Sequence, residues 1–327
     1  MDRPKITIAM SPDPRTLPLI ERRVTIDGYE LAISHDFLSP GEQHHRFANM
    51  EFDVCEFSTA TFLRSIEAKA AFIAVPVFFT RGARHRNVFY RQGSLKNPRD
   101  LKGRKLGLSR YGATANVWTR GLLLDEHGLK TTEMRWYVSG QELFFAHTLP
   151  VKVERPETPM QFGQDRDHLG GLLSEGLIDG VILPGDTGYH SIFGGGRLVQ
   201  AMEKFPGVKP LLDDTEEIIR YIRTKRIYPI MHTIAMKAQT AVRYPDLAVK
   251  LTEAFREAKR LSPQYMSAED LAGYEKEQAV LGEDPYAYVL GKTEIESLKA
   301  LNRYQIEQGL MKQELDIRSL FVPETLL

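Results

Sequence analysis

The sequence predicts an α/β protein of two lobes with a ligand cleft between them, and three observations predict it. Short apolar runs alternate with helical stretches along the chain, the pattern of strands joined by packed helices. A polar connector rich in Lys, Pro and Gly occupies residues 92–104. The segment RIYPIMHTIAMK, 226–237, then returns to an apolar, strand-like pattern before the terminal helices. A chain that leaves one lobe, builds a second and comes back crosses twice, and ligands favour such interlobe clefts. The expected boundaries are 1–91 plus 232–327 for the first lobe and 92–231 for the second.

The elements follow in order. KITIAM (5–10) reads as a strand ended by the turn-rich SPDPR, and YELAIS (29–34) alternates as a second. FDVCEFS (52–58) is a third strand with STATFLRSIEAKA behind it as a helix. AAFIAVPV (70–77) and RNVFYR (86–91) are the fourth and fifth, and KLGLSR (105–110) follows the connector. ATANVWTRGLLLDEHG starts a helix with Thr114 as its expected N-cap and stops it at Gly128. MRWYVS (134–139) is a strand, and HLGGLLSEGLIDGVILPGD holds a short helix and then the strand DGVILP. PDLAVKLTEAFREAKRLS (245–262) carries apolar residues at 247, 248, 251, 254, 255, 258 and 261, the stripe of an amphipathic helix. TEIESLKALNRYQIEQGL is another, closed by Gly309.

Composition narrows the function. In 327 residues, Lys plus Arg and Asp plus Glu each number 43, so no global field attracts nucleic acid or an anionic membrane. Any positive site is local. The lone cysteine, Cys55, rules out an intramolecular disulfide and a thiolate metal cluster, and its place in an apolar strand reads as a small core residue. The longest apolar run, AAFIAVPVFF, is too short to span a bilayer, and MDRPKITIAMSPDPRTLP lacks the apolar centre of a signal peptide. The expectation is a soluble cytoplasmic protein acting on a small molecule; whether it forms a homo-oligomer is left open.

Several motifs fail. LGKT (290–293) resembles the end of a phosphate-binding loop, but Tyr286 stands where the first glycine belongs. No G-x-G-x-x-G follows a strand, and no H-E-x-x-H or G-x-S-x-G occurs. His44 and His45 are adjacent and do not share a helix face, so they read as solvated helix residues rather than metal ligands.

Strand ends carry the chemistry. Residues 81–110 hold ten cations (Arg81, Arg84, Arg86, Arg91, Lys96, Arg99, Lys102, Arg104, Lys105, Arg110) against one acid, Asp100. Those at 96, 99, 102 and 104 coat the connector. Arg81, Arg84 and His85 sit just past the fourth strand, where guanidinium forks suit carboxylates. SRYGATANVWTR (109–120) passes from strand through a glycine turn into a helix, a place for free N–H groups to meet an anion, with Ser109, Thr114 and Asn116 adding polar groups. Trp118 and Arg120 are ambiguous between packing and cleft, and Arg110 is a further candidate. Asp13 and Arg15, Glu56 and Ser58, Asp186, and His232 stand at other strand ends. In open α/β sheets such ends line the ligand crevice.

Taken together, FDVCEFS, PVF-x-x-R-x-x-RH and LKGRKLGLSRYGATANVWTRG resemble the 4,5-dihydroxyphthalate decarboxylase family over roughly residues 5–240. The most specific matches are Arg81, Arg84, His85, Tyr111, Thr114, Ala115, Trp118, Arg120 and Gly121. The resemblance implies a type II periplasmic-binding-protein-like fold, related to ABC-transporter substrate-binding proteins, each lobe a mixed, mostly parallel sheet flanked by helices. It implies a carboxy-lyase that turns a hydroxylated aromatic diacid into a hydroxybenzoate and CO2. Such a reaction needs cations for two carboxylates, an acid aimed at the ring carbon and a base near the phenol. Arg81 and Arg84 are the expected clamp, with Ser58, Ser109, Arg110, Thr114, Trp118 and Arg15 as further substrate-binding residues. His85 or His232 is the expected proton donor, and Asp186 or Glu56 the base. The scheme requires no organic cofactor, although a divalent metal could ease ionisation of the hydroxyls. The competing expectation is a solute-binding protein of an ABC transporter for an aromatic or carboxylate ligand.

Overall fold

A computed structural model describes residues 3–37, 39–142, 149–161, 164–185, 196–282 and 284–326. The strands in chain order are β1 (Lys5–Ala9), β2 (Glu30–Ser34), β3 (Val54–Ser58), β4 (Phe72–Val75), β5 (Val88–Arg91) and β6 (Lys105–Leu108). They continue as β7 (Arg135–Val138), β8 (Val153–Glu154), β9 (Gly180–Ile182), β10 (Val208–Pro210) and β11 (His232–Lys237). β1 alternates buried Ile6 and Ile8 with Lys5 and Thr7, while β3 is buried at all five positions because it lies inside its sheet.

Two mixed sheets result. The first has the order β2-β1-β3-β11-β4, with β1 parallel to β2 and β3, and β11 antiparallel to β3 and β4. The second has the order β10-β5-β9-β6-β7-β8. The chain leaves the first sheet after β4 and returns to it as β11, the two expected crossings. The strand Val88–Arg91, assigned to the first lobe from sequence, is instead hydrogen-bonded to β9 and β10 in the second sheet. The first crossing therefore falls within 76–87, ahead of the polar connector, because composition marks an exposed loop rather than a change of sheet.

The lobes also share packing. The helix Lys292–Glu307 lies against the helices Thr59–Glu67 and Thr114–His127, one from each side. Tyr304 packs edge-on to Trp118 at 5.6 Å between ring centroids, and its ring lies where a side chain on Gly121 would begin. One hydrophobic cluster thus joins Phe57, Trp118, Tyr221, Ile230 and Tyr304. Trp118, expected at the cleft, belongs to this shared core, and its indole N–H donates to the Ile230 carbonyl at 3.0 Å. Thr114 is the first helical residue rather than the cap, which is Ala113, and Gly128 ends the helix in the left-handed region at φ 69°. Among the described residues no helix is long and apolar enough to cross a membrane.

Candidate active site

The site starts from the pairing of β3 with β11. Ile234 lies opposite Glu56, so His232, two residues earlier, meets Glu56 diagonally on the same face. His232 Nδ1 lies 2.6 Å from Glu56 Oε1. Glu56 also accepts the Ser11 amide at 2.8 Å and the Thr80 hydroxyl at 3.2 Å. Burial pushes the Glu56 carboxyl up, but the hydrogen bond and charge of His232 and the bonds from Ser11 outweigh it, leaving the group below its ordinary value. His232 is thereby held by one nitrogen, leaving Nε2 for a guest. His44, from the helix Pro40–Ala48, stands edge-on to His232 at 5.1 Å. Burial first, then His232 and Arg110, hold His44 well below 6.5, so it is a neutral ring.

These groups border one cleft, about 750 Å³ when the space open to solvent is included. Gly41, His44, Ser58, Met231 and His232 contribute from the first lobe, with Arg110, Thr114, Glu142 and Gly185 from the second. Ser58 and Thr114 share a 2.8 Å hydrogen bond across it, and the Ala60 amide donates to the Thr114 hydroxyl at 3.1 Å. Arg84 lines the same cleft, only 8% exposed. Its Nε has no hydrogen-bond partner, and among the described residues no carboxylate pairs with it. Burial lowers its guanidinium to about 10. A buried cation without a counter-ion is costly, so such a group suits an anionic guest.

Other expected residues lie elsewhere. Arg81 does not border the cleft: its guanidinium pairs with Glu294 at 2.6 Å and donates to the carbonyls of Pro285 and Tyr228. His85 sits edge-on to Tyr221 and lines a second cavity with Glu126, His127 and Glu217. Burial, then His127, Arg86 and Arg220, push it down to about 3, so in neutral solution it is a neutral ring rather than the imidazolium that a general acid needs. Arg15 is buried against Asp13 at 2.8 Å with its guanidinium 4.0 Å from the Tyr286 ring centroid, away from the cleft. Ser109 is buried beside the cleft, its carbonyl accepting from the Gly140 amide at 2.8 Å. Asp186 lies outside the described residues.

Sequence reasoning missed several cleft residues, His44, Gly41, Arg64 and Glu142 among them. His44, taken as solvated, is 4% exposed; its spacing of three from Phe47, also buried, was the available signal that both share an inward helix face. Gly41 falls on that face, against the Arg110 guanidinium. Arg64 follows Phe62 and Leu63 in the helix Thr59–Glu67, which is buried from Thr59 to Ser65. Glu142 follows a strand with nothing local to single it out. Cys55 is buried as expected, and burial raises its thiol. Among the described residues no group of three or more His, Cys, Asp or Glu is placed to hold a metal ion.

The fold and the cleft define a two-lobed, binding-protein-like scaffold with a polar cleft between the lobes. Solved structures agree on the fold. The periplasmic aliphatic sulphonate binding protein SsuA from Escherichia coli superposes with a TM-score of 0.59 at 13% identity, covering 99% of each chain. The desulfurization enzyme DSZB superposes with a TM-score of 0.54 at 15% identity, covering 99% of this chain and 97% of that one. No protein-family model matches the chain. Among curated proteins, the 4,5-dihydroxyphthalate decarboxylase of Comamonas testosteroni is 29% identical over 345 aligned positions, covering 100% of this chain and 98% of the relative. That of Pseudomonas putida is 30% identical over 187 positions, covering 56% of this chain and 72% of the relative. The chain belongs to the 4,5-dihydroxyphthalate decarboxylase family and is, by that membership, a carboxy-lyase.

Proposed function

We propose that the protein releases CO2 from a hydroxylated aromatic diacid, 4,5-dihydroxyphthalate or a close analogue, by protonating the ring carbon that bears the departing carboxylate. One observation carries this reading: the guanidinium of Arg84, paired with no carboxylate among the described residues, and the Glu56-held imidazole of His232 line the same cleft. Direct loss of CO2 would leave an aryl anion whose lone pair lies in the ring plane without resonance. Protonation first avoids it. A hydroxyl para to the carboxylated carbon gives up its proton, and the oxygen's electrons push into the ring. The carbon takes a proton from His232 Nε2, forming a dienone. The C–C bond to the carboxylate then breaks, its electron pair restores the aromatic ring and the phenolate, and CO2 departs.

Arg84 fixes one carboxylate and supplies positioning. Glu56 acts through His232, since its carboxylate is taken by the histidine, Ser11 and Thr80; it orients the imidazole that donates. Asp186 is proposed to take the phenol proton. The test is to incubate the protein with 4,5-dihydroxyphthalate, following CO2 and dihydroxybenzoate. In D2O the product should carry one deuterium at the vacated ring position. His232→Ala should lose turnover by two orders of magnitude or more. No CO2 from any hydroxyphthalate or related hydroxybenzoate would sink the reaction, and tight binding without turnover would favour the solute-binding alternative.

A further inference from the structure

The turn between β6 and the helix Thr114–His127 has an unusual electrostatic construction. The Tyr111 amide donates to Glu142 Oε1 at 2.5 Å and the Gly112 amide to Glu142 Oε2 at 3.0 Å, so one carboxylate straddles two consecutive N–H groups. The carbonyls of the same two residues accept from buried arginines. Arg120 Nη2 donates to the Tyr111 carbonyl at 2.6 Å and Arg64 Nη2 to the Gly112 carbonyl at 3.0 Å. The Tyr111–Gly112 peptide is thus held with its N–H end at Glu142 and its carbonyl end on Arg120, while the peptides on either side place their carbonyls on Asn116 Nδ2 and Arg64 Nη2. Fixed N–H pairs of this kind bind anions.

The arginines behind the notch have no carboxylate in hydrogen-bond contact among the described residues. Arg64 is completed by Gln305 and Thr61, and Arg120 by Gln308. Arg64 Nε and Arg120 Nη1 are buried with no partner. Glu142 is the carboxylate whose charge reaches both of them, and it reaches Arg110 as well. It is also only half-buried and lines the cleft with Arg84 and His232. A side-chain carboxylate therefore sits in a two-amide, arginine-backed seat that opens on the proposed substrate cleft.

We propose that the Tyr111–Gly112 notch is a carboxylate subsite of that cleft and that Glu142 is its resident occupant, displaced when an aromatic acid binds. The inference rests on the functional reading for its guest class: an ortho-diacid would place one carboxylate at Arg84 and the other in the notch. Glu142 neutralises the buried arginines while the cleft is empty, and it sets the affinity of the guest by competing with it. Removing the competitor should tighten guest binding and lower the stability of the unliganded protein, because the arginines lose their counter-charge.

The test is calorimetric titration of the full chain with phthalate, a diacid lacking the ring hydroxyls and so unable to turn over. Glu142→Ala should bind phthalate about 10-fold or more tightly than wild type, and Glu142→Gln should fall between them. Glu142→Ala should melt lower than wild type without ligand and recover most of the difference with saturating phthalate. Should Glu142→Ala fail to fold, Glu142→Gln, which keeps the size and one acceptor, carries the same comparison. Phthalate affinity unchanged within twofold, or weaker, in a folded variant overturns the proposal. Tighter binding in the variant with no CO2 from hydroxyphthalates in wild type would retain the notch and remove the assigned reaction. Turnover with unchanged variant affinity would do the reverse.

Discussion

Replacing Arg84 by methionine should make the protein more stable and its ligand binding weaker. The guanidinium is buried, and the titratable groups that reach it among the described residues are the phenols of Tyr228 and Tyr286, which burial keeps neutral. Burial lowers it from 12.5 to about 10. At about 1.4 kcal/mol per pH unit, roughly 3 kcal/mol is set against the folded state. Because the folded value is the lower one, this cost is complete at any pH below about 10 and fades only as pH climbs toward 12.5. A measurement at pH 7 reads all of it. Methionine fills much of the volume of the arginine stem, so a gain of about 1–3 kcal/mol is expected, a few degrees in Tm. A charge-assisted contact from Arg84 to a guest carboxylate is worth about 1.5–3 kcal/mol, so phthalate should bind roughly 10- to 150-fold more weakly. Urea unfolding with and without saturating phthalate reads both effects. Wild type should gain stability from the ligand and the variant much less. A variant less stable than wild type, or one that binds phthalate equally well, refutes the view of Arg84 as a cation held at a cost for an anion.

Three further outcomes are expected. Glu56→Gln should lower the rate of CO2 release about 30-fold or more with KM little changed, read by steady-state assay. The stability Glu56 contributes is present above its ordinary 4.5 and lost as pH falls through its lowered folded value, so the unfolding free energies of wild type and Glu56→Gln should converge in acid; a gap constant from pH 7 to pH 3 contradicts this. His85→Ala should keep kcat within about twofold while losing about 1–3 kcal/mol of stability from its buried ring, and a hundredfold fall in kcat would restore His85 as the proton donor. Gly41→Ala places a methyl 3.2 Å from Arg110 Nη2. It should raise KM about 3- to 10-fold through displacement of that guanidinium, with kcat retained, and an unchanged KM removes Arg110 from binding.

Legibility differed from residue to residue. Arg84, Glu56, Ser58 and His232 were visible because each ends or begins an apolar run, and strand ends are where an α/β sheet meets its crevice. Arg81 and His85 carried the same signal and went elsewhere. Arg81 is drawn to Glu294, 213 positions away, and His85 to Tyr221, and neither contact leaves a local mark. Trp118 lay in the most specific stretch of family resemblance, yet its ring serves the core shared with Tyr304. Motif residues are held by packing as readily as by chemistry.

By itself the sequence determined the local elements, the alternation that makes two mixed sheets, the return of the chain at 226–237, the lack of a global charge field and the family. The family rests on the resemblance of particular stretches within 5–240; the rest follows from periodicity, turn chemistry or composition, which act over a few residues or over the whole chain at once. Only the tertiary structure decided which polar residues meet: Glu56 with His232 across 176 positions, Ser58 with Thr114 across 56, and Glu142 with the amides of Tyr111 and Gly112. Those pairings depend on strand register and on the crossing of two lobes. Both arise from long-range packing, so a linear pattern can nominate the partners but cannot bring them together.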